Sequence, residues 1–227
     1  MVSLAEKMAA NLDMSAFGKA EELKKRLWFT VLALIVFRLG TFIPLPGIDP
    51  KILADIFSRN SNGILGMFNM FAGGALERMT IFALNIMPYI SASIILQLGQ
   101  SVVPSLAALK KEGEAGHRKI VHYTKVLTVL ITIIQGYGIA VGLEGMVGSA
   151  GLSAVVMPGF VFKFTTIVSL VGGTMFIVWL GDQITSRGVG NGSSLIITVG
   201  IIANIPTALA QTFELGRVGS MSLWVIL

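Results

Sequence analysis

"MTIFALNIMPYISASIILQLGQSVV", residues 79–103, carries no charged side chain from end to end. An uncharged run of this length is long enough to cross a hydrocarbon core of about 30 Å as a helix. It reads as a transmembrane span that opens after "ALERM" and is ended by Pro104. Pro88 falls in its middle, where a proline removes one backbone hydrogen bond and favours a kink. Asn85, Ser91, Ser93, Gln97 and Gln100 put amides and hydroxyls along the same span. That many polar groups suggest a helix facing protein or water as well as lipid. Ile86 and Ile90 stand four residues apart on one face, which by spacing alone is ordinary packing.

Composition extends this reading to the whole chain. Of 227 residues 54% are hydrophobic and 13% are charged, where soluble domains carry about a quarter charged. Mean hydropathy is +0.80. So little polar surface cannot cover a core in water, and lipid is the solvent for much of the chain. The net charge of +5 does not indicate nucleic acid, because the basic residues flank apolar runs instead of alternating with aromatics. With no cysteine, a disulfide framework and thiol chemistry are excluded. Residues 1–26 are polar and amphipathic, and read as a cytoplasmic segment, not a cleavable signal.

Five spans are expected, at about 27–43, 79–103, 126–143, 164–180 and 190–210. Together they make residues 27–220 an all-α polytopic membrane unit, and residues 221–227, ending in "SLWVIL", read as the start of a cut-off sixth span. Lys and Arg divide unevenly between the two sides. The N-tail and the 104–125 and 181–189 loops hold eleven: Lys7, Lys19, Lys24, Lys25, Arg26, Lys110, Lys111, Arg118, Lys119, Lys125 and Arg187. The opposite ends hold five: Lys51, Arg59, Arg78, Lys163 and Arg217. Basic excess marks the cytoplasmic side, so the N-terminus is expected inside. Arg38 lies within the first span, close enough to its outer end to snorkel or to pair structurally.

"GILGMFNMFAGG", residues 63–74, is apolar but short. As a helix its twelve residues rise about 18 Å, too little to span. An interfacial helix would need a basic polar face, and this stretch contains no Lys or Arg. It is expected to be a re-entrant helix buried in protein, entering from outside. "SRNSNG" before it and Gly73-Gly74 behind it make it hinged, and its methionines adapt to changing neighbours. A movable stopper and a static filler remain open from these residues alone.

The rest is sparing in chemistry. Gly138 and Gly142 in "GYGIAVG" form a small-xxx-small pair suited to close helix packing. "SRGVGNGSS", 186–194, lacks the strand context and lysine of a phosphate loop and reads as a tight turn. His117 and His122 are taken as solvated loop residues, not metal ligands. No acid pair, nucleophile–base set or metal cluster is visible, so no catalytic residue, metal or cofactor is expected.

Four stretches nevertheless point to one family. "IVFRLGTFIPLPGID", "MFNMFAGGALERMTIFALNIMPYISASIILQL", "KKEGEAGHRKI" and "WLGDQITSRGVGNGSSLI" closely resemble bacterial SecY, the main subunit of the Sec protein-conducting channel. The resemblance runs from about Glu21 to the end and matches that family's N-terminal half. It implies a clamshell of two pseudo-symmetric five-helix halves around an hourglass pore. It also implies that a short helix plugs the pore, here Gly63, Ile64, Leu65, Gly66, Met67, Phe68, Asn69, Met70, Phe71, Ala72, Gly73 and Gly74. The implied apolar pore ring falls on Ile86 and Ile90, with Ser193 and Ile197 from the fifth span. Ser193 departs from the aliphatic residue usual there, and one hydroxyl weakens a barrier made of apolar side chains. The implied lateral gate carries Ser91 and Gln135, with Gln97 a weaker member.

The same resemblance implies a passive translocon subunit in the bacterial plasma membrane, not an enzyme. Its implied partners are SecE and SecG, the SecA motor, the translating ribosome, signal sequences and unfolded polypeptides, besides lipid. Two other classes fit an apolar chain of broken helices. One is half of an ion-coupled secondary transporter, which would need membrane-embedded acids. The other is an assembly subunit without a pore of its own.

Overall fold

A computed structural model of the chain describes residues 14–60, 74–146, 153–203 and 205–206. Seven helices are delimited among them: α1 (Met14–Gly40), α2 (Pro50–Asn60), α3 (Met87–Val102), α4 (Pro104–Lys111), α5 (Glu114–Gly145), α6 (Phe160–Arg187) and α7 (Gly192–Ile202). Among the described residues there is no strand, only isolated antiparallel bridges pairing Pro44 with Thr80 and Ile48 with Val155. α5 and α6 form an antiparallel hairpin. α3 leans on α5, while α1 and α7 pack on α6.

Two of these helices, α5 and α6, are long and apolar enough to cross a membrane, and a third span results if α3 and α4 count as one. α1 and α5 overrun the expected spans at their polar N-terminal ends, which carry Lys, Glu and Ala and favour helix outside lipid too. The expected 104–125 loop is accordingly α4 and the first turns of α5. His117 and His122 therefore stand exposed on a helix, not in a loop. The 190–210 span is seen as helix from Gly192 to Ile202, and 221–227 lies outside the described residues.

The hairpin packs through small residues. On α5 the buried face is Thr124, Thr128, Thr132, Gly136 and Ala140, recurring every fourth residue. Each threonine hydroxyl donates to the carbonyl four residues back, at 2.9, 2.7 and 2.7 Å. Such back-bonding satisfies the hydroxyl without a partner helix. Gly138 and Gly142 are not part of this seam. A Cβ on either would meet nothing within 4 Å, because two residues turn the helix by about 200° away from the Gly136–Ala140 row. Charges fasten both ends of the hairpin. Lys125 Nζ lies 2.7 Å from Asp182 Oδ2. At the other end Lys163 Nζ lies 3.0 Å from Glu144 Oε2, while Gly159 N donates to Glu144 Oε1 at 2.7 Å.

The stretch 79–103 is not one helix. Residues 74–86 are a chain of turns, and helix begins only at Met87. Met79 and Asn85 adopt left-handed backbone, φ 44° and 49°. Pro88 is the reason the helix starts where it does. Mid-helix its ring would collide with the carbonyl of residue 84, whereas in the first turn its missing N–H costs nothing. α3 is thus 16 residues, rising about 24 Å, short of a full hydrocarbon core.

Non-helical backbone at membrane depth is tolerated only when protein buries it and pairs its polar groups. Both conditions hold. Ala75, Met79, Thr80, Phe82, Ala83, Asn85 and Ile86 are all buried. Leu45 N donates to Met79 O at 2.9 Å, and Ile81 N to Ile43 O at 3.1 Å. The Phe82 ring stacks on Phe37 of α1 and on Phe176 of α6, pinning the turns between these helices. Gly173 makes room for them, since a Cβ there would overlap the Ile81 carbonyl.

Candidate functional site

Three of the four expected ring residues lie in one apolar cluster. Ile86, the N-cap of α3, is 0% exposed among Phe37, Phe82, Ile177, Ile184 and Ile196. Ile90 and Ile197 pack against the rim of that cluster and are only partly buried. α3 brings the first two to it, and α7 brings Ile197.

Ser193, in the first turn of α7, is half-buried. Its backbone N and Oγ both lie 3.5 Å from the position a Cβ would take on Gly181. The residue therefore sits at the seam between α7 and α6. That seam is close because Gly192 has no side chain; a Cβ there would overlap the Gly181 carbonyl. The turn before it, Gly188–Asn191, is tied down at several points. Val189 N donates to Thr30 Oγ1 at 3.0 Å, Gly192 N to Thr185 Oγ1 at 2.9 Å, and Ser194 N to Asn191 Oδ1 at 3.1 Å. The last is an N-terminal cap. These bonds fix where α7 presents Ser193 and Ile197.

The expected gate residues fall on the packed pair α3 and α5. Ser91 is half-buried on α3 and Gln135 is exposed on α5. Gln97 is exposed and donates from Nε2 to Ser93 Oγ at 3.2 Å, one turn back on its own helix. Of the expected plug, residues 63–73 lie outside the described residues. Gly74, its last member, is buried with φ 79°. Arg38 lies within a turn of the α1 terminus, its guanidinium carbon 5.3 Å from the Phe42 ring centroid. Among the described residues there is no group of three or more side chains that could hold a metal.

Sequence reading missed Phe82, whose ring joins α1 to α6, and the unwound segment around it. Asn85 followed by Pro88 was the available signal. Asparagine tolerates left-handed backbone, and proline favours a first helical turn.

The family model for SecY matches residues 80–227. The chain belongs to the SecY family. The protein translocase subunit SecY of Escherichia coli K12 is 56% identical over 213 residues, covering 94% of this chain and 48% of its own. That of Rickettsia bellii is 53% identical over 203 residues, covering 89% and 47%. The chain thus spans about half the length of the curated SecY relatives it matches. Two solved structures share the fold. One is described as a protein conducting channel, at TM-score 0.55, 18% identity, 86% of this chain and 38% of that one. The other comes from the canine ribosome–channel complex of the endoplasmic reticulum, with the same four values.

Proposed function

We propose that the chain forms the N-terminal half of the pore-forming subunit of a Sec translocon. Its task is to pass unfolded polypeptides across the plasma membrane and to release hydrophobic segments sideways into lipid. The observation that carries this reading is 56% identity with a translocase subunit across 94% of the chain. The burial pattern supports a place on the ring for Ile90 and Ile197 but not for Ile86, which is 0% exposed inside the cluster and has no surface left to face a pore. Ile90 and Ile197 border the apolar cluster with part of their surface open, as residues facing a pore require. A narrow apolar constriction resists ions by disfavouring water.

In this reading a signal sequence opens the gate at Ser91 and Gln135, and the plug (63–74) moves outward. The isoleucines then close around the extended chain. Polar contacts between membrane helices are modest, about 0.6 to 2 kcal/mol each, so a gate built on them can yield. The channel is passive. Its energy comes from a partner, the translating ribosome or the SecA motor, with SecE and SecG completing the assembly. Basic excess places the N-terminus in the cytoplasm, and five spans cross the membrane. The transporter reading falls with the family assignment.

The test is ion conductance of the complete complex in planar bilayers. Ile90→Ser with Ile197→Ser raises the leak of the resting channel. Unchanged conductance would remove both residues from the constriction.

A further inference from the structure

Resting on the ring reading of Ile90 and Ile197, we infer that Thr30 of α1 is a positioning residue for the constriction. Its hydroxyl sets where α7 presents Ile197 and Ser193. Thr30 is 5% exposed. Its Oγ1 donates to Arg26 O at 2.9 Å and accepts from Val189 N at 3.0 Å. The single hydroxyl hydrogen is thus used on α1, and a lone pair holds the turn that leads into α7. Val189 lies 159 positions further along the chain, so this bond ties the turn to a distant helix.

The turn has little room to settle elsewhere. A Cβ on Gly188 would overlap Thr30 Oγ1, and one on Gly192 would overlap the Gly181 carbonyl. The missing side chains let the turn press on α1 at one end and on α6 at the other. On α6 the same device recurs. Gly192 N donates to Thr185 Oγ1 at 2.9 Å, and that hydroxyl donates to Gly181 O at 2.9 Å. Thr185 is exposed, so water replaces its hydroxyl more readily than that of the buried Thr30.

α1 is also the mount for the other wall. Seven residues on from Thr30, two turns along the same face, Phe37 stacks on Phe82. Four residues after Phe82 comes Ile86, the N-cap of α3, and then Ile90. One face of α1 thus carries the turn before α7 and the segment before α3, and fixes Ile197 relative to Ile90. Thr30→Val keeps the shape but places a methyl carbon where the hydroxyl stood, 3.0 Å from Val189 N. That is inside the usual contact of about 3.5 Å. The N–H loses its acceptor and the turn is pushed off α1, carrying α7 with it.

The test uses the complete complex in planar bilayers. Thr30→Val raises the resting ion conductance about fivefold, the shift that loss of one hydrogen bond gives. Thr30→Ser, which keeps the hydroxyl, leaves conductance at its original level. Thr30→Ala removes the acceptor without crowding the turn, raises conductance less, and serves if Thr30→Val does not assemble. Thr132→Val is the control, because that buried hydroxyl bonds only within its own helix, and its loss leaves conductance unchanged. Position is read directly by Ile197→Cys in a chain that has no cysteine. Its rate of modification by a water-soluble thiol reagent changes with Thr30→Val and returns with Thr30→Ser.

An unchanged modification rate at position 197 overturns the inference. So does a leak that Thr132→Val raises equally, which would mark a general loss of stability. Ile90→Ser with Ile197→Ser in the same bilayers separates the two readings. Where that pair raises the leak and Thr30→Val does not, the ring stands and the positioning role falls. Where the pair has no effect but modification at 197 still follows Thr30, the hydroxyl positions α7 and only the ring reading falls.

Discussion

The Phe82 ring lies 6.0 Å from the Phe37 ring, centroid to centroid, with the two planes 10° apart. It stacks equally on Phe176, at 5.9 Å and 10°. One aromatic side chain from a non-helical segment thus joins α1 to α6. Phe82→Ala removes that joint and costs roughly 3–5 kcal/mol, the usual range for a buried phenylalanine. Thermal unfolding of the purified complex should shift down markedly, and Phe82→Leu should recover part of the loss.

Gly172 and Gly173 offer a paired test of the close approach. A Cβ on Gly173 would overlap the Ile81 carbonyl, whereas one on Gly172 enters open space. Gly173→Ala is expected to destabilise the complex clearly. Gly172→Ala should be neutral or slightly stabilising, because alanine favours helix. Equal effects in the same assay would mean that the turn segment does not sit on α6.

Pro88 separates two accounts of residues 79–103. In the first turn of α3, replacing it by alanine costs little, under about 1 kcal/mol, through a looser unfolded chain. In a helix interior the same replacement would relieve a penalty of about 3 kcal/mol. Pro88→Ala should therefore leave the unfolding temperature level or slightly lower. A distinct gain in stability would restore the continuous, kinked helix.

These residues also show what was legible beforehand. The all-helical membrane class followed from composition and uncharged runs, since lipid demands both. The turn at 188–191 followed from its glycines and Asn191. The unwound segment 74–86 did not, because from Met79 on its residues are mostly apolar and its backbone is protected by tertiary pairing with Ile43 and Leu45. Hydropathy registers burial in either case and cannot tell helix from turns packed in protein. The seam on α5 was misplaced for a related reason. Threonines that satisfy their own hydroxyls serve as small residues there, and the glycines at 138 and 142 face away.

Lys125 and Asp182 join the ends of α5 and α6 at 2.7 Å, with 35% and 42% of their side chains exposed. Partly exposed pairs are screened, and coupling of about 0.2–1 kcal/mol is expected. A double-mutant cycle with Lys125→Met and Asp182→Asn, read by unfolding, should return a value in that range and weaken with salt. Coupling above about 2 kcal/mol would point to a more enclosed pair in the assembled complex.

The central claim is that Ile90 and Ile197 border the path of a polypeptide. The most direct measurement places a photo-crosslinker at positions 90, 197 and 179 of the complete complex and stalls a secretory chain in transit. Trp179 is exposed on α6, its ring centroid 5.7 Å from that of Phe176. The account predicts crosslinks to the stalled chain from 90 and 197 and none from 179. Equal labelling from all three, or labelling from 179 alone, would contradict it.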